Sequence, residues 1–116
     1  MAVKFALRYL PLTSLLLLLP AANTALALTG RADLEKWCQR GSSAAIGRCH
    51  GYLRAAADVL STDSIDGVRA CLPHDTNMPE MQRRVMTWLT AHPTATATTA
   101  MGLVARALSE IHPCQK

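Results

Sequence analysis

The stretch SAAIGRCHGYLRAAADVL, residues 43–60, decides the fold of this chain. Its apolar side chains recur at intervals of three and four residues, so they share one face of a helix. The members of this stripe are Ala45, Ile46, Cys49, Tyr52, Leu53, Ala56, Ala57 and Leu60. Gly47 and Gly51 interrupt the pattern; they either permit a close helix contact or weaken the helix locally, since glycine costs about 1 kcal/mol relative to alanine. The pattern predicts a long helix with one buried face.

Three further segments have the same helical period. They cover residues 31–39, 79–91 and 95–111. Gly41 ends the first of them, and Asn77 and Glu80 have the spacing of a capping box before the second. Residues 61–76 are a long connection rich in turn formers, and no segment shows the alternation of a strand. We therefore predict an all-α fold, a small disulfide-stabilised bundle of about four helices.

The beginning of the chain has the three parts of a cleavable export signal. Lys4 and Arg8 provide positive charge, a leucine-rich run follows, and Ala-Leu-Ala at residues 25–27 marks a cleavage site. The apolar run is too short to span a bilayer comfortably, which favours cleavage over a retained membrane helix. We predict that residues 1–27 are removed and that residues 28–116 form a single exported domain.

The predicted mature chain carries little net charge. Cleavage removes Lys4 and Arg8, so the mature chain keeps ten of the 12 basic residues and all 8 acidic residues. Its net charge is therefore +2. Arg83 and Arg84 form the only basic doublet, and no aromatic residues alternate with basic ones. This composition argues against nucleic-acid binding. We expect neither nucleic acid nor, after cleavage, a membrane as partner.

Four cysteines, Cys38, Cys49, Cys71 and Cys114, lie downstream of the predicted signal. In an oxidising compartment an even set of cysteines forms disulfides, and no C-x-x-C pair suggests zinc. The helical segment from Cys49 to Leu60 is about 16 Å long at the rise of an α-helix. If residues 67–71 run back in an extended conformation, they cover a similar distance and bring Cys71 near Cys49. We therefore prefer the pairing Cys49–Cys71 with Cys38–Cys114. The pairing Cys38–Cys49 with Cys71–Cys114 stays open as the alternative.

The sequence contains no recognisable catalytic or metal-binding motif. His50, His74, His92 and His112 do not occur in H-E-x-x-H or a comparable ligand set. His92 and His112 precede prolines at predicted helix ends, where they are expected to interact with the last carbonyls. His74 and Asp75 are an adjacent pair in a turn, which is too common to indicate catalysis. We expect no enzymatic activity, no metal and no cofactor.

The long connection supplies the candidate contacts with a partner. Loops held by rigid elements often carry recognition, although these also fit a simple solvated connector. The two loops are residues 61–66 and 74–77. The candidate partner-binding residues are Asp63, Asp66, His74, Asp75 and Asn77. Trp37 and Trp88 lie instead on apolar helix faces and are expected to pack in the core.

A series of short motifs runs through nearly all of the predicted mature chain. They are Trp37-Cys38, Cys49-His50-Gly51-Tyr52-Leu53 with Asp58, Cys71-Leu72-Pro73, Trp88-Leu89-Thr90-Ala91-His92-Pro93, Ala107-Leu108 and Pro113-Cys114. In order and spacing, this series resembles the Rap/Tai family of type VI secretion immunity proteins. One departure is Leu53-Arg54-Ala55, where many relatives have a glycine soon after the Gly-Tyr pair.

The resemblance implies a small, disulfide-bonded, all-α periplasmic protein, often a homodimer, without catalytic activity. Characterised relatives bind a peptidoglycan amidase toxin and block its catalytic cleft. The matched motifs are structural, so they assign no toxin contact to any residue here. The alternative function is a general periplasmic helical binding or chaperone-like protein without a cognate toxin. Its adaptable apolar surface would come from methionines that equally fit core filling, namely Met78, Met81, Met86 and Met101.

Overall fold

The protein is a bundle of four helices. Its structure is a computed structural model that describes residues 28–39 and 41–116, so the predicted signal peptide lies outside the described residues. The helices are α1 (Arg31–Gln39), α2 (Ser43–Leu60), α3 (Met78–Ala91) and α4 (Ala100–Ile111). The described residues contain no strand, only an isolated bridge between Ile65 and Val68. The all-α prediction is confirmed.

Three of the helices begin at a side-chain cap. In each, a side-chain oxygen accepts a hydrogen bond from a backbone N–H that the first turn leaves unpaired. The caps are Ser42 to Ala45 at 3.2 Å, Asn77 to Glu80 at 2.8 Å and Thr99 to Gly102 at 3.3 Å. The predicted role of Asn77 at the start of α3 is confirmed.

The fourth helix begins later than predicted. Its first residue is Ala100 rather than residue 95, and residues 92–99 are not helical. Thr99 caps the helix, and the Ala100 N–H donates to the Thr29 carbonyl at 2.8 Å. Threonine is a modest helix former, so the threonine-rich segment before this cap does not extend the helix.

Helix α4 contributes the largest number of buried residues. All four helices pack against one another. The buried residues of α4 are Ala100, Gly102, Leu103, Val104, Ala105, Ala107 and Leu108. The other helices contribute Leu34, Leu53 and Leu89, each 0% exposed. Burial of such side chains, at about 1.5–3 kcal/mol each, is the main stabilising contribution.

The two glycines in α2 do not mediate helix contacts. Gly47 and Gly51 are exposed, and a Cβ at either position would meet no atom within 4 Å. Close packing therefore does not require them, and they act as local weak points of the helix.

Both tryptophans pack on the core, as predicted. Trp88 is 6% exposed, and its indole N–H donates to Glu110 Oε2 at 2.7 Å. Trp37 is half-buried and makes an edge-on contact with Tyr52 at 6.0 Å between ring centroids. His92 stacks on Trp88, and its Nδ1 lies 2.8 Å from the Trp88 carbonyl. Since a carbonyl only accepts, Nδ1 carries the proton, which confirms the predicted contact at the end of α3.

The disulfides are Cys38–Cys49 and Cys71–Cys114. The prediction of Cys49–Cys71 with Cys38–Cys114 is wrong, and the alternative pairing is confirmed. The Cα atoms are 5.1 Å and 4.9 Å apart, within the usual range for a disulfide. Cys38 lies near the end of α1 and is bonded to Cys49 within α2.

The path of the α2–α3 connection explains this correction. Ile65 and Val68 exchange two backbone hydrogen bonds, of 3.0 and 2.9 Å, so the chain reverses in a local turn. The residues that follow the turn line one depression with Arg54 and Asp58 of α2, so the chain does come back beside this helix. The Cys71 N–H donates to the His112 carbonyl at 2.9 Å, which places Cys71 at the end of α4 and within reach of Cys114 rather than Cys49. Ala70, 3% exposed, packs on the core, whereas Cys71 is exposed.

Arg31 ties the beginning of the domain to the α3–α4 connection. Its guanidinium donates to the carbonyls of Leu89 at 2.6 Å, His92 at 2.8 Å and Ala95 at 3.3 Å. Its Nε donates to Glu35 at 2.8 Å. The last carbonyls of a helix lack intrahelical partners and lie at the negative end of its dipole, so a cation is favoured there.

Candidate functional site

The loop that follows α2 is held by its own hydrogen bonds. The Asp63 N–H donates to the Val59 carbonyl at 2.8 Å, and Asp63 Oδ1 accepts from the Ser64 N–H at 2.7 Å. Asp66 and Gly67 follow with φ angles of 52° and 75°. Two successive positive φ angles are typical of a type I′ turn, for which Asp-Gly is a favoured pair. The backbone of this loop is therefore well defined.

The carboxylate of Asp66 lies against α4. A Cβ at Gly102 would clash with Asp66 Oδ2 and would lie 3.0 Å from the Ala97 Cβ. Glycine at this buried position therefore allows the loop to approach the first turn of α4 closely. The positive end of the helix dipole also favours a carboxylate there.

The second loop is fixed at both ends. Cys71 precedes it and is bonded to Cys114 beyond the end of α4. Within it, Thr76 Oγ1 donates to the Pro73 carbonyl at 2.7 Å. Asn77 closes it by capping α3. A covalent bond and a helix cap thus hold the segment in place.

The two loops border one depression in the surface, with a volume of about 360 Å³. Ser61 belongs to the first loop and His74 to the second, and both line it. Arg54 of α2 and Arg69 of the connection line it as well, so we call it the arginine depression. Its buried apolar lining consists of Leu60, Ala70 and Met81. It combines an apolar base with a charged border.

The charges of the arginine depression are not neutralised by close ion pairs. Arg54 and Arg69 are exposed, and among the residues that the structure describes no carboxylate lies within 4.0 Å of either guanidinium. Asp58 also lines the depression, one turn along α2 from Arg54, without such a pair. Two guanidinium groups and one carboxylate give the border a net positive charge.

A neighbouring charge cluster is satisfied internally. Glu80 in the first turn of α3 accepts hydrogen bonds from Arg83 and from Arg84 Nε, the latter at 2.7 Å. The hydrogen bond from Arg83, followed by that from Arg84, lowers the pKa of Glu80. These groups already have partners and are less available for binding another molecule.

A comparison with known families identifies the chain. A sequence model of the family described as Rap1a immunity proteins matches residues 30–114. The chain belongs to this family. The match spans all four helices and both disulfides, and it confirms the resemblance found in the short motifs. Neither the curated proteins nor the solved structures contain a significant match to the chain.

Membership of the Rap1a immunity proteins indicates a role in immunity to a type VI effector, with that effector as binding partner. Proteins of this family are typically inhibitors rather than enzymes. Within residues 28–39 and 41–116, no helix is both long and apolar enough to span a membrane. The same residues contain no group of three His, Cys, Asp or Glu side chains placed to hold a metal ion.

In this Rap1a family member, the side chains of the five predicted contact residues make different contacts within the fold. Asp63 bonds within its own loop, Asp66 lies against Gly102, and Asn77 caps α3. His74 borders the arginine depression, whereas Asp75 lines a second depression of about 160 Å³. The structure therefore brings the two loops together around one depression, but it does not gather all five side chains there.

Arg54 and Arg69 were not among the contact residues predicted from the sequence. The apolar stripe of α2 leaves Arg54 on the polar face, and the position of Arg69 depends on the turn between Ile65 and Val68. One signal was available in the sequence. Arg54, Asp58 and Ser61 follow helical spacing, which places three polar side chains in one row that ends at the predicted loop.

The second depression contains a titratable group at the end of α4. His112 lines it together with Asp75 and Ile111. Burial lowers the pKa of His112 below its ordinary value, and the positive charge of Arg84 lowers it further. The folded protein therefore favours the neutral imidazole.

Proposed function

We propose that this protein is a periplasmic immunity protein that binds a peptidoglycan amidase effector of type VI secretion and blocks its catalytic cleft. The observation that carries the proposal is the Rap1a family match over residues 30–114. The predicted export signal supports the location, because peptidoglycan is in the periplasm. The immunity protein contributes binding alone, and the chemistry that it stops belongs to the effector.

The proposal includes removal of residues 1–27 and a single domain over residues 28–116. The Thr29 carbonyl already accepts the hydrogen bond from Ala100, so tertiary packing begins directly after the predicted cleavage point. Two disulfides suit a domain that folds in an oxidising compartment.

We propose that loops 61–66 and 74–77 form part of the surface that contacts the effector. Both are fixed by internal hydrogen bonds, and the second is next to a disulfide. A preorganised loop loses less conformational entropy on binding than a flexible one. His74 and Asp75 are the clearest candidates, because both side chains are exposed.

The resemblance to Rap/Tai proteins also leads us to propose a homodimer. Light scattering after size exclusion tests it directly. A molecular mass twice that of the chain, retained on dilution, would support the dimer, and the mass of a single chain would exclude it.

The alternative chaperone-like function loses the feature that motivated it. Met81 is 2% exposed, and Met78, Met86 and Met101 are half-buried against the core. Met81 therefore fills the interior and the other three pack against the core, which leaves less methionine surface for the adaptable binding that a general binding protein needs.

Co-expression with the product of the adjacent gene, exported to the periplasm of a sensitive host, tests the proposed function. We expect the full-length chain to prevent lysis and to form a complex that survives size exclusion. A variant that lacks residues 1–27 is the matched control, since it remains in the cytoplasm and should not protect. Lysis in the presence of abundant, folded immunity protein would contradict the proposal.

Charge reversal of Asp63, Asp66 and Asp75 together tests the contribution of the two loops. If the loops contact the effector, the dissociation constant should rise at least about tenfold, which corresponds to about 1.4 kcal/mol. Asp33→Lys on α1 is the control, as an exposed acid outside both loops. Unchanged affinity of the triple variant would exclude these loops from the interface.

A further inference from the structure

We propose that the arginine depression receives an acidic side chain from a surface loop of the effector, with an adjacent apolar side chain on the apolar base. This inference rests on the proposed function, because the effector is the partner that it describes. It assigns the effector contact to Arg54 and Arg69, neither of which the sequence motifs mark.

The distribution of partners among the arginines supports this assignment. Carboxylates within the chain pair with Arg31, Arg83 and Arg84. Arg106 donates to the Thr96 carbonyl and lies 5.9 Å from the centre of the Trp88 ring. The three remaining arginines in the described part of the chain have no side-chain hydrogen bond or ion pair to another described residue; they are Arg48, Arg54 and Arg69. Two of these three meet at one depression.

The chemistry of guanidinium groups favours a carboxylate as the group received. Arginine presents a planar fork of donors that matches the two oxygens of a carboxylate. Asp58 and His74 also line the depression, and Asp58 cancels the charge of only one arginine. A net positive charge therefore remains for an incoming anionic group. Partial loss of water strengthens the attraction between the carboxylate and the arginines, and bidentate hydrogen bonds offset the cost of removing the charges from water.

The size and the rigidity of the depression suit side chains rather than a larger element of the partner. Its volume of about 360 Å³ is near the lower end for ligand clefts, too small for a helix. Leu60, Ala70 and Met81 provide a buried apolar surface for an aliphatic neighbour of the acid. The bond between Cys71 and Cys114 holds the segment that carries Arg69 against the end of α4. The site is therefore formed before the partner arrives.

The test measures binding of the purified, catalytically inactivated product of the adjacent gene to three forms of the immunity protein. These are the wild type, the double variant Arg54→Glu/Arg69→Glu, and Arg48→Glu. Arg48 is the matched control, because it is also an exposed and unpaired arginine of α2 but lies outside the arginine depression. Circular dichroism melts establish that all three forms fold.

We expect the double reversal to raise the dissociation constant at least about 100-fold and Arg48→Glu to change it less than about threefold, since charge reversal at a desolvated contact costs far more than at the rim. Replacing the contacting effector acid by lysine should restore binding of the double variant. Binding that the double reversal leaves unchanged, while the wild type binds and protects, would overturn this inference and leave the proposed function standing. Absence of wild-type binding would contradict both.

Discussion

The two disulfides of this protein lie in contrasting surroundings. Cys38 and Cys49 are 4% and 0% exposed and join α1 to α2 across a separation of 11 residues. Cys71 is exposed, and its bond to Cys114 closes a separation of 43 residues. The first bond is part of the hydrophobic core. The second fixes a surface segment that contributes to the arginine depression, so the two bonds serve the fold and the candidate site respectively.

Removing both bonds together should have the largest effect. In the chain-entropy model, loops of these lengths contribute about 3 and about 4 kcal/mol. Their sum is comparable with the whole stability of a typical domain, about 5–15 kcal/mol. We expect full reduction to unfold the protein or to lower its melting temperature strongly, as measured by circular dichroism. An unchanged melting temperature would show that the two disulfides do not stabilise the fold.

The order of reduction sharpens the comparison between the two bonds. A reducing thiolate must reach a sulfur atom, and it has access to Cys71 but not to the buried Cys38 or Cys49. We expect mild reductant to open Cys71–Cys114 first. Alkylation and peptide mapping at successive times measure this order. Earlier reduction of Cys38–Cys49 would show that burial does not determine which disulfide is reduced first.

Arg31 tests how strongly the end of the molecule that contains α1 is held. Arg31→Ala removes hydrogen bonds to three carbonyls, and each hydrogen bond to a charged group contributes about 1.5–3 kcal/mol. Because water reaches part of this site, we expect a total loss of about 2–3 kcal/mol in chemical denaturation. Arg48→Ala, which removes an exposed arginine without such bonds, should change stability by less than about 0.5 kcal/mol. Equal effects of the two substitutions would contradict this role.

Gly102 tests the contact between the long connection and α4. Gly102→Ala would force the Asp66 carboxylate and Ala97 to move, and we expect a net loss of about 1 kcal/mol. Gly47→Ala is the control, since nothing lies within 4 Å of its Cβ position and alanine should stabilise α2 by about 0.5–1 kcal/mol. Melting temperatures of the two variants check this: Gly102→Ala should lower the melting temperature and Gly47→Ala should raise it. A stabilising Gly102→Ala would indicate that the loop moves freely.

His112 gives the smallest expected effect, and it is confined to the end of α4. Because the pKa of folded His112 lies below that of the unfolded chain, the unfolded state binds more protons between these values. Protonation of His112 in the unfolded state therefore lowers the free energy of unfolding as the pH falls below about 6.5. We expect His112→Gln to reduce the acid sensitivity of the melting temperature. An identical pH profile for the variant would exclude His112 as the cause.

The helices were predictable where the local signal and the tertiary structure agree. The stripe from Ala45 to Leu60 and the Asn77 cap set the observed bounds of α2 and the start of α3. The start of α4 was predicted too early, because the helical spacing of Ala97 and Met101 continues into residues that do not form a helix. The Thr99 cap and the hydrogen bond of Ala100 to Thr29 determine that boundary, and the second of these is long-range.

The disulfide pairing and the arginine depression depend on contacts that sequence spacing does not contain. The turn between Ile65 and Val68 reverses the chain, so that Arg69 lines one depression with Arg54 of α2. The hydrogen bond from Cys71 to the His112 carbonyl then places this cysteine at the end of α4. An Asp-Gly pair indicates a turn, but the direction in which the chain leaves it depends on packing against α4, including the space at Gly102.

The position of the Cys71–Cys114 bond also determines where the protein should be labelled. An affinity tag or fluorophore fused after Lys116 begins next to Cys114, which is bonded to a residue that lines the arginine depression. If the effector binds at the arginine depression as proposed, such a fusion would compete with it for this surface. Gly41 is exposed and does not line the arginine depression, so it is the better place for a label.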